Sequence, residues 1–275
     1  VTVVVPTLEA DATLEDCIRS LDEQVWRDFE VIIVDNSGEG RARQRIHTRP
    51  GLRILENRSN EGFGAAVNAA ARVSEGDFVA SLNDDAIASP LWLEALVTAM
   101  DSREDVGMCA SQVRLAGSGR LDSAGMLISG DASSKQRGHG EPPERYSDAT
   151  ETLFPSGSAA MYRRRMLEET GGFDDSFFLY CEDTDLGLRA RWSGWECLYV
   201  PEAVVEHRYS HSAGRASRLK AYYVERNRLF VLLKNFPLSL LLLAPWYAAA
   251  RYAFHLLSIS RGRGAAAEFL VEGRP

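Results

Sequence analysis

The sequence predicts an α/β fold, a mostly parallel central sheet flanked by helices. Three observations lead there. Short apolar runs alternate with stretches of helical spacing, the runs are almost continuously apolar, and they end in polar or turn-forming residues. The 275-residue chain is 45% hydrophobic and 25% charged, which excludes a wholly disordered or fibrous protein and leaves ample material for a buried core.

Val1–Val5 is a buried strand ended by Pro6. Leu14, Cys17, Ile18 and Leu21 have helical spacing, with Asp11 or Thr13 as the cap. Phe29–Val34 is a second strand and stops at the turn cluster Asp35-Asn36-Ser37-Gly38. Leu52–Leu55 is a third strand, Phe63–Val73 a helix, and Phe78–Leu82 a fourth strand that stops at Asn83-Asp84-Asp85. Trp92–Met100 is a helix starting after Pro90. Beyond about residue 110 the alternation fails. Residues 116–150, rich in Gly, Ser, Asp, Glu and Arg, predict a hairpin and a mobile loop. Leu153–Tyr162 returns to strand-like sequence, Thr184–Ser193 is a short helix, and Cys197–Val200 and Ala203–Val205 are separate strand candidates. There is no internal repeat.

Cys17, Cys109, Cys181 and Cys197 are dispersed, with no C-x-x-C, so a zinc knuckle or redox pair is not expected and the thiols are read as reduced core residues. Val1-Thr2-Val3-Val4-Val5 has neither a basic n-region nor a small-residue cleavage site, and no signal peptide is expected. Charge is uneven. Residues 207–275 hold 11 Lys and Arg against three acids, a formal +8, while residues 1–206 hold 20 against 36, a formal −16. An acidic body with a basic, apolar tail argues against nucleic-acid binding and suits a catalytic body tethered to an anionic membrane surface.

Ligands of open α/β sheets sit at the carboxyl ends of the strands. Here those ends carry Thr7 and Glu9, then Asp35, then Asn60 and Gly62, then Asn83-Asp84-Asp85. Any one such residue can be a turn or helix cap; four consecutive strands ending this way point to a shared site. Adjacent acids at Asp84 and Asp85 suit a hard divalent cation shared with substrate phosphates, the alternative being an Asx turn. Gly62-Phe63-Gly64-Ala65-Ala66-Val67 replaces the third glycine of a dinucleotide fingerprint with Val67 and follows the third strand, so a nicotinamide-dependent oxidoreductase is disfavoured. The glycines still allow close backbone approach to a ligand. Glu182, Asp183 and Asp185 suit either a tuned general base or acidic charge at a helix N-terminus. His207 closes a strand, where it can join a metal site.

Together these segments resemble the family 2 glycosyltransferases of GT-A fold, in their rhamnosyltransferase-like branch. The resemblance covers about residues 1–215. It rests on Val3-Val4-Val5-Pro6-Thr7, Val34-Asp35-Asn36-Ser37, Asn60-x-Gly62-Phe63-Gly64-x-x-x-Asn68 and Leu82-Asn83-Asp84-Asp85. It continues through Gly171-Gly172-Phe173-Asp174, Tyr180-x-Glu182-Asp183-x-Asp185-Leu186-x-x-Arg189 and Val200-Pro201 to Val205-x-His207. It implies a catalytic domain over 1–215, with a nucleotide-binding half (1–110) and an acceptor-binding half (111–215).

The resemblance also implies roles. Asp35 would bind the pyrimidine, and Thr7, Glu9, Asn60, Gly62, Asn83 and Asp84 would line the nucleotide-sugar pocket. Asp85 and His207 would hold Mn2+ or Mg2+. Glu182 and Asp185 would meet the acceptor, and Asp183 would deprotonate its hydroxyl for inverting attack. Asn83 stands where the D-x-D motif begins with Asp, which removes a charge from that position. The implied donor is a dTDP- or UDP-sugar, with rhamnose first, and the implied acceptor is a glycan or polyprenyl-linked glycan. A non-catalytic sugar-nucleotide-binding protein that keeps the fold is the competing expectation.

The remaining 216–275 form a basic, apolar tail. Its uncharged run, Asn235 to Ala250, is 16 residues long and interrupted by Pro237 and Pro245. It is shorter than the roughly 20 residues a bilayer span needs. The expectation is an interfacial or re-entrant segment on the cytoplasmic face of the membrane, or else a pair of helices packed on the domain or at a homodimer interface.

Overall fold

The computed structural model describes residues 1–208 and 218–261. Strand β1 (Thr2–Thr7) runs through Pro6 instead of ending there. The Thr7 carbonyl accepts the Asn36 N–H on one side, so Pro6 faces the other, where pairing with the neighbouring strand has ended at Val4. Its missing N–H therefore costs no ladder bond. Helix α1 (Ala12–Asp22) is capped by Asp11, whose carboxylate accepts the Thr13 N–H at 2.8 Å.

The expected β2 (Glu30–Asp35), β3 (Leu52–Glu56), α3 (Phe63–Val73), β4 (Phe78–Leu82) and α4 (Trp92–Asp101) follow, with three elements the sequence did not predict: short α2 (Arg41–Arg45) between β2 and β3, β5 (Ala86–Ala88) between β4 and α4, and β6 (Val106–Leu115) after α4. After these come β7 (Leu121–Ser123), a hairpin of β8 (Met126–Ile128) and β9 (Ser134–Gln136), and a 3-10 turn at Pro143–Tyr146. Next are β10 (Thr150–Glu151), β11 (Ala159–Arg163), α5 (Arg164–Thr170), a second 3-10 turn at Asp175–Phe177, α6 (Glu182–Trp192) and β12 (Glu196–His207). Helices α7 (Arg218–Asn235) and α8 (Leu238–Ser260) complete the described chain.

The main sheet has the order β10-β12-β6-β11-β4-β1-β2-β3, with β5 beside β12 and β7 beside β6. Strands β4, β1, β2 and β3 are parallel, as is the β12–β6 pair; β11 lies antiparallel between β4 and β6. Alternate β1 residues serve two cores. Val3 and Val5 pack with Leu14, Leu21, Trp92 and Leu96 of α1 and α4. Val4 packs on the other face with Val67 of α3, Leu186 of α6 and Val231 of α7. The four cysteines are buried and free.

Three expectations change. The stretch 116–150 is built, not a mobile loop: Leu121 and Glu141 are joined through the Leu121 N–H at 2.9 Å, and Gly140 donates back to the Leu121 carbonyl at 2.8 Å. The two late strand candidates are one 12-residue strand whose register shifts between Val200 and Val204, where Pro201 sits in the irregular stretch.

The tail differs most. Helix α8 has 23 residues, runs through Pro245 and takes Pro237 as its N-cap. By length and composition it is able to cross a membrane, unlike the shorter segment expected. One stripe faces the body: Ala244 is buried, Tyr247 lies over Gly130, and Arg251 binds Asp131 at 2.7 Å and grips both Glu225 oxygens at 2.8 and 3.0 Å. Much of the remaining surface is exposed and apolar, including Leu242, Trp246, Phe254 and Leu256.

Candidate active site

At the carboxyl ends of β1 and β4 lies a cleft of about 540 Å³, bordered by Thr7, Asn60, Gly62, Asn83, Asp84 and Asp85 on one side and by Glu182, Asp183 and His207 elsewhere on its wall. Residues far apart in sequence thus meet in one place. Thr7 donates its hydroxyl to Asp84 at 2.5 Å and accepts the Ala10 N–H at 3.1 Å. Burial pushes the Asp84 carboxyl up to about 6, with the Thr7 bond opposing the rise and the Asp85 charge adding to it.

His207 reaches the cleft because β12 pairs with β5 in the register His207 opposite Ala86, one residue beyond Asp85. Its Nε2 lies 3.1 Å from Asp85 Oδ1, and its Nδ1 lies 3.2 Å from Asp122 Oδ2 on β7. The Asn83 amide approaches the same Nε2 at 3.3 Å. Burial disfavours a charged imidazole here, but Asp122 and Asp85 outweigh it and hold the ring's pKa up at about 9. Among the described residues no three His, Cys, Asp or Glu side chains are grouped to hold a metal. Asp85 and His207 are two potential ligands, and Asp122 orients the ring from behind. Sequence reasoning missed Asp122, which no motif marks. His211, the next histidine along the chain and the alternative ligand should His207 be structural, lies outside the described residues.

Asp183 stands in the first turn of α6. Its Oδ1 accepts the Thr184 N–H at 2.6 Å and its Oδ2 the Gly157 N–H at 3.0 Å. Burial raises its pKa, and these backbone bonds limit the rise. Glu182 is buried beside it, with Oε2 lacking a hydrogen-bond partner. Burial, aided by the Asp183 charge, pushes the Glu182 carboxyl up to about 8 from 4.5. The folded protein therefore keeps a proton that the unfolded chain loses, and stability falls as pH rises between those values. In Glu182→Gln this decline should flatten, so the variant's melting temperature should gain on wild type from about pH 5 to about pH 8. A constant difference over that range would show that Glu182 is ionised throughout.

Three predicted residues sit elsewhere. Glu9 is exposed and paired with Arg41 at 2.6 Å, beside a neighbouring groove next to α2 rather than on the cleft wall. Asp35 is buried, and its oxygens accept the Ser37 and Ala42 N–H groups at 2.8 and 2.7 Å, so it shapes the β2–α2 turn while Asn36 borders the cleft. Asp185 is fully buried behind the cleft, bonded to Arg189 and Asn235, each at 2.8 Å.

Gly62 borders the cleft, and the two glycines also allow close packing within the chain. A Cβ on Gly62 (φ +89°) would lie 2.1 Å from the Phe178 carbonyl oxygen, and one on Gly64 would lie 2.8 Å from Phe173 Cβ. Both close approaches are to the chain itself. Asn68 completes the junction: its amide donates to the Phe173 carbonyl at 2.8 Å and accepts the Phe173 N–H at 3.0 Å. The Asn60–Asn68 and Gly171–Asp174 segments, distant in sequence, are therefore the two sides of one joint.

The model of the family described as Glycosyl transferase family 2 matches residues 2–171. An N-acetylglucosaminyl-diphospho-decaprenol L-rhamnosyltransferase of Mycobacterium tuberculosis is 31% identical over 247 residues, 80% of each chain. The O-antigen chain rhamnosyltransferase WbaN of Salmonella anatum is 28% identical over 222 residues, 77% of this chain and 67% of that protein. Among solved structures, the mannosyltransferase PcManGT of Pyrobaculum calidifontis, in complex with GDP-Man and Mn2+, superposes with a TM-score of 0.65 at 20% identity, covering 99% of this chain and 78% of that one. GalNAc-T7 with UDP, GalNAc and Mn2+ gives 0.68 at 15% identity, covering 84% of this chain and 47% of that one.

Proposed function

This chain belongs to glycosyl transferase family 2 and is a glycosyltransferase of GT-A fold; from that premise we propose that it transfers a sugar, rhamnose first among the candidates, from a nucleoside diphosphate to a hydroxyl of a lipid-linked glycan, with inversion, in cell-envelope polysaccharide synthesis. The observation that carries this reading is the single cleft bordered by Thr7, Asp84, Asp85 and His207 and also by Asp183. The names of the two rhamnosyltransferases support the sugar, and the diphospho-decaprenol name supports the acceptor class.

Asp183 is the base in this reading. The acceptor hydroxyl gives its proton to the Asp183 carboxylate as its oxygen attacks the anomeric carbon; the bond to the diphosphate breaks from the opposite face, and configuration inverts. Gly157 and Thr184 hold the carboxylate in place, which favours a near-attack geometry. Thr7, Asn60, Gly62, Asn83 and Asp84 border the donor, and Glu182 lies on the wall nearest the acceptor.

The donor set fits a divalent cation. Asp85 and His207, 3.1 Å apart at the cleft, are close enough together that both would hold one cation. One carboxylate, one oriented imidazole and substrate phosphates suit Mn2+ or Mg2+. Such a cation would neutralise the departing diphosphate.

The setting is the cytoplasmic face of a membrane, with α8 lying in the interface. Arg251, well inside α8, is fastened to Asp131 of the body and to Glu225 of α7, so a span would draw that ion cluster into hydrocarbon. Lying flat buries the exposed apolar side and leaves the cluster at the body. The native cysteines are buried, so a cysteine placed at Leu242 or at Phe254 can be labelled alone with an environment-sensitive dye. With anionic vesicles both dyes should report the same shallow depth. Unequal depths would indicate a span, and no insertion with a tail-dependent dimer would make the tail a subunit interface.

A screen of nucleotide sugars with and without manganese, read by nucleoside diphosphate release in the presence of polyprenyl-linked acceptor, tests the function. Manganese-dependent release with dTDP-rhamnose is expected. Donor binding without turnover of any sugar would leave a sugar-nucleotide-binding protein.

A further inference from the structure

Between the second 3-10 turn and α6 the chain bends through Phe178, Tyr180 and Cys181, all with positive φ of 63 to 69°. None is glycine, so each conformation is disfavoured and must be imposed by its surroundings. This bend leads directly into Glu182 and Asp183 and borders the cleft.

The restraint comes from the tail. Asn227 of α7 is fully buried, and its amide nitrogen donates to the carbonyls of Phe177, Leu179 and Tyr180 at 2.9, 2.8 and 2.6 Å. Two N–H bonds shared among three acceptors spend the whole donor capacity of that side chain on one bend. Arg226 donates to the carbonyls of Ser176 and Phe177 at 2.9 and 2.8 Å and also to the Asn227 oxygen at 2.8 Å, which fixes the amide's orientation. From the opposite side the Phe63 N–H meets the Phe178 carbonyl at 3.0 Å.

We propose that Asn227, seconded by Arg226, is a positioning residue for transfer: it holds the strained bend so that the Glu182–Asp183 pair faces the cleft. The proposal rests on the glycosyltransferase reading and gives α7 a part in catalysis that its place in the tail does not suggest.

Asn227→Ala and Arg226→Met test it, the latter removing only a half-buried guanidinium. The measurements are kcat, nucleotide affinity and amide hydrogen exchange. Displacing a reacting group by about 1 Å costs on the order of 10²-fold in rate. Asn227→Ala should therefore lower kcat about 100-fold, with nucleotide affinity within about 2-fold of wild type. Exchange should quicken over residues 177–183 and stay unchanged in β1 and β4. Arg226→Met should show the same signature more weakly.

If Arg226→Met and Asn227→Ala loosen the bend but leave kcat near wild type, the proposal is overturned. It is also overturned if the loss of rate in Arg226→Met follows global unfolding, seen as faster exchange in β1 and β4. A wild-type protein that transfers no sugar overturns the glycosyltransferase reading itself, an outcome distinct from active wild type with active variants.

Discussion

Asp183→Asn should reduce sugar transfer by about 10²–10⁴-fold, the usual cost of losing a general base, with nucleotide binding nearly intact. The amide keeps the shape but cannot take the acceptor's proton. It also carries one oxygen where two are used, since the carboxylate meets the N–H groups of both Thr184 and Gly157. One of those donors must then face an NH2 group, so a modest fall in melting temperature should accompany the loss of rate. That fall is too local to empty the donor side of the cleft. Calorimetry with nucleoside diphosphate and a transfer assay on the same preparation separate the two effects. Near wild-type transfer would remove Asp183 from the mechanism.

Asp85→Ala should cost at least about 100-fold in manganese-dependent affinity for the nucleotide sugar, more than His207→Ala, because a ligand outweighs the outer-shell groups whose loss costs 10–100-fold. As a metal ligand, Asp85 would contribute charge as well as an atom; the His207 imidazole would contribute only the atom. His207→Ala has a second effect. It leaves Asp122, 3% exposed, without the ring that pairs with it at 3.2 Å. Half-exposed His139 still lies 3.2 Å from the other Asp122 oxygen, but losing the ring removes the buried partner of two buried carboxylates, Asp85 and Asp122, so His207→Ala should also melt earlier than Asp85→Ala in the absence of metal. Calorimetry with and without manganese, alongside thermal melts, checks both. A His207→Ala protein that binds metal and nucleotide like wild type would make His207 a structural residue.

The extent to which all this was legible depended on how local each signal is. Helix α3 and strand β4 have the bounds expected, because periodicity and turn residues mark them within the segment itself. The cleft residues Thr7, Asp84, Asp85, Asp183 and His207 were legible because strand ends and short motifs carry them. Asp122 and Asn227 were not: their importance lies in partners 85 and 47 to 50 residues away, which no window reveals. Asp185 misled because three acids in four residues look alike in sequence, whereas the helical turn points them in different directions. Gly62 was recognised as a place of close backbone approach, but the approach of Phe178 to it was not foreseen, because that partner lies far along the chain. The continuity of α8 was hidden by Pro245, which is tolerated well inside a helix that the prolines were expected to interrupt.

The central sheet has one more consequence. Strand β11, from the second half of the chain, is inserted between β4 and β6 and bonded to both, so strands from the two halves of the chain share a single ladder. The floor of the cleft therefore has no hinge axis. Prising the halves apart would break the hydrogen bonds of central strands, and domain closure of the clamshell type is denied to this molecule. In the proposed transfer, entry of the sugar nucleotide and escape of the spent diphosphate would then use small displacements at the rim. The rate of product escape is then set by those rim segments, and turnover would respond to mutations there rather than to changes in the stiffness of the sheet.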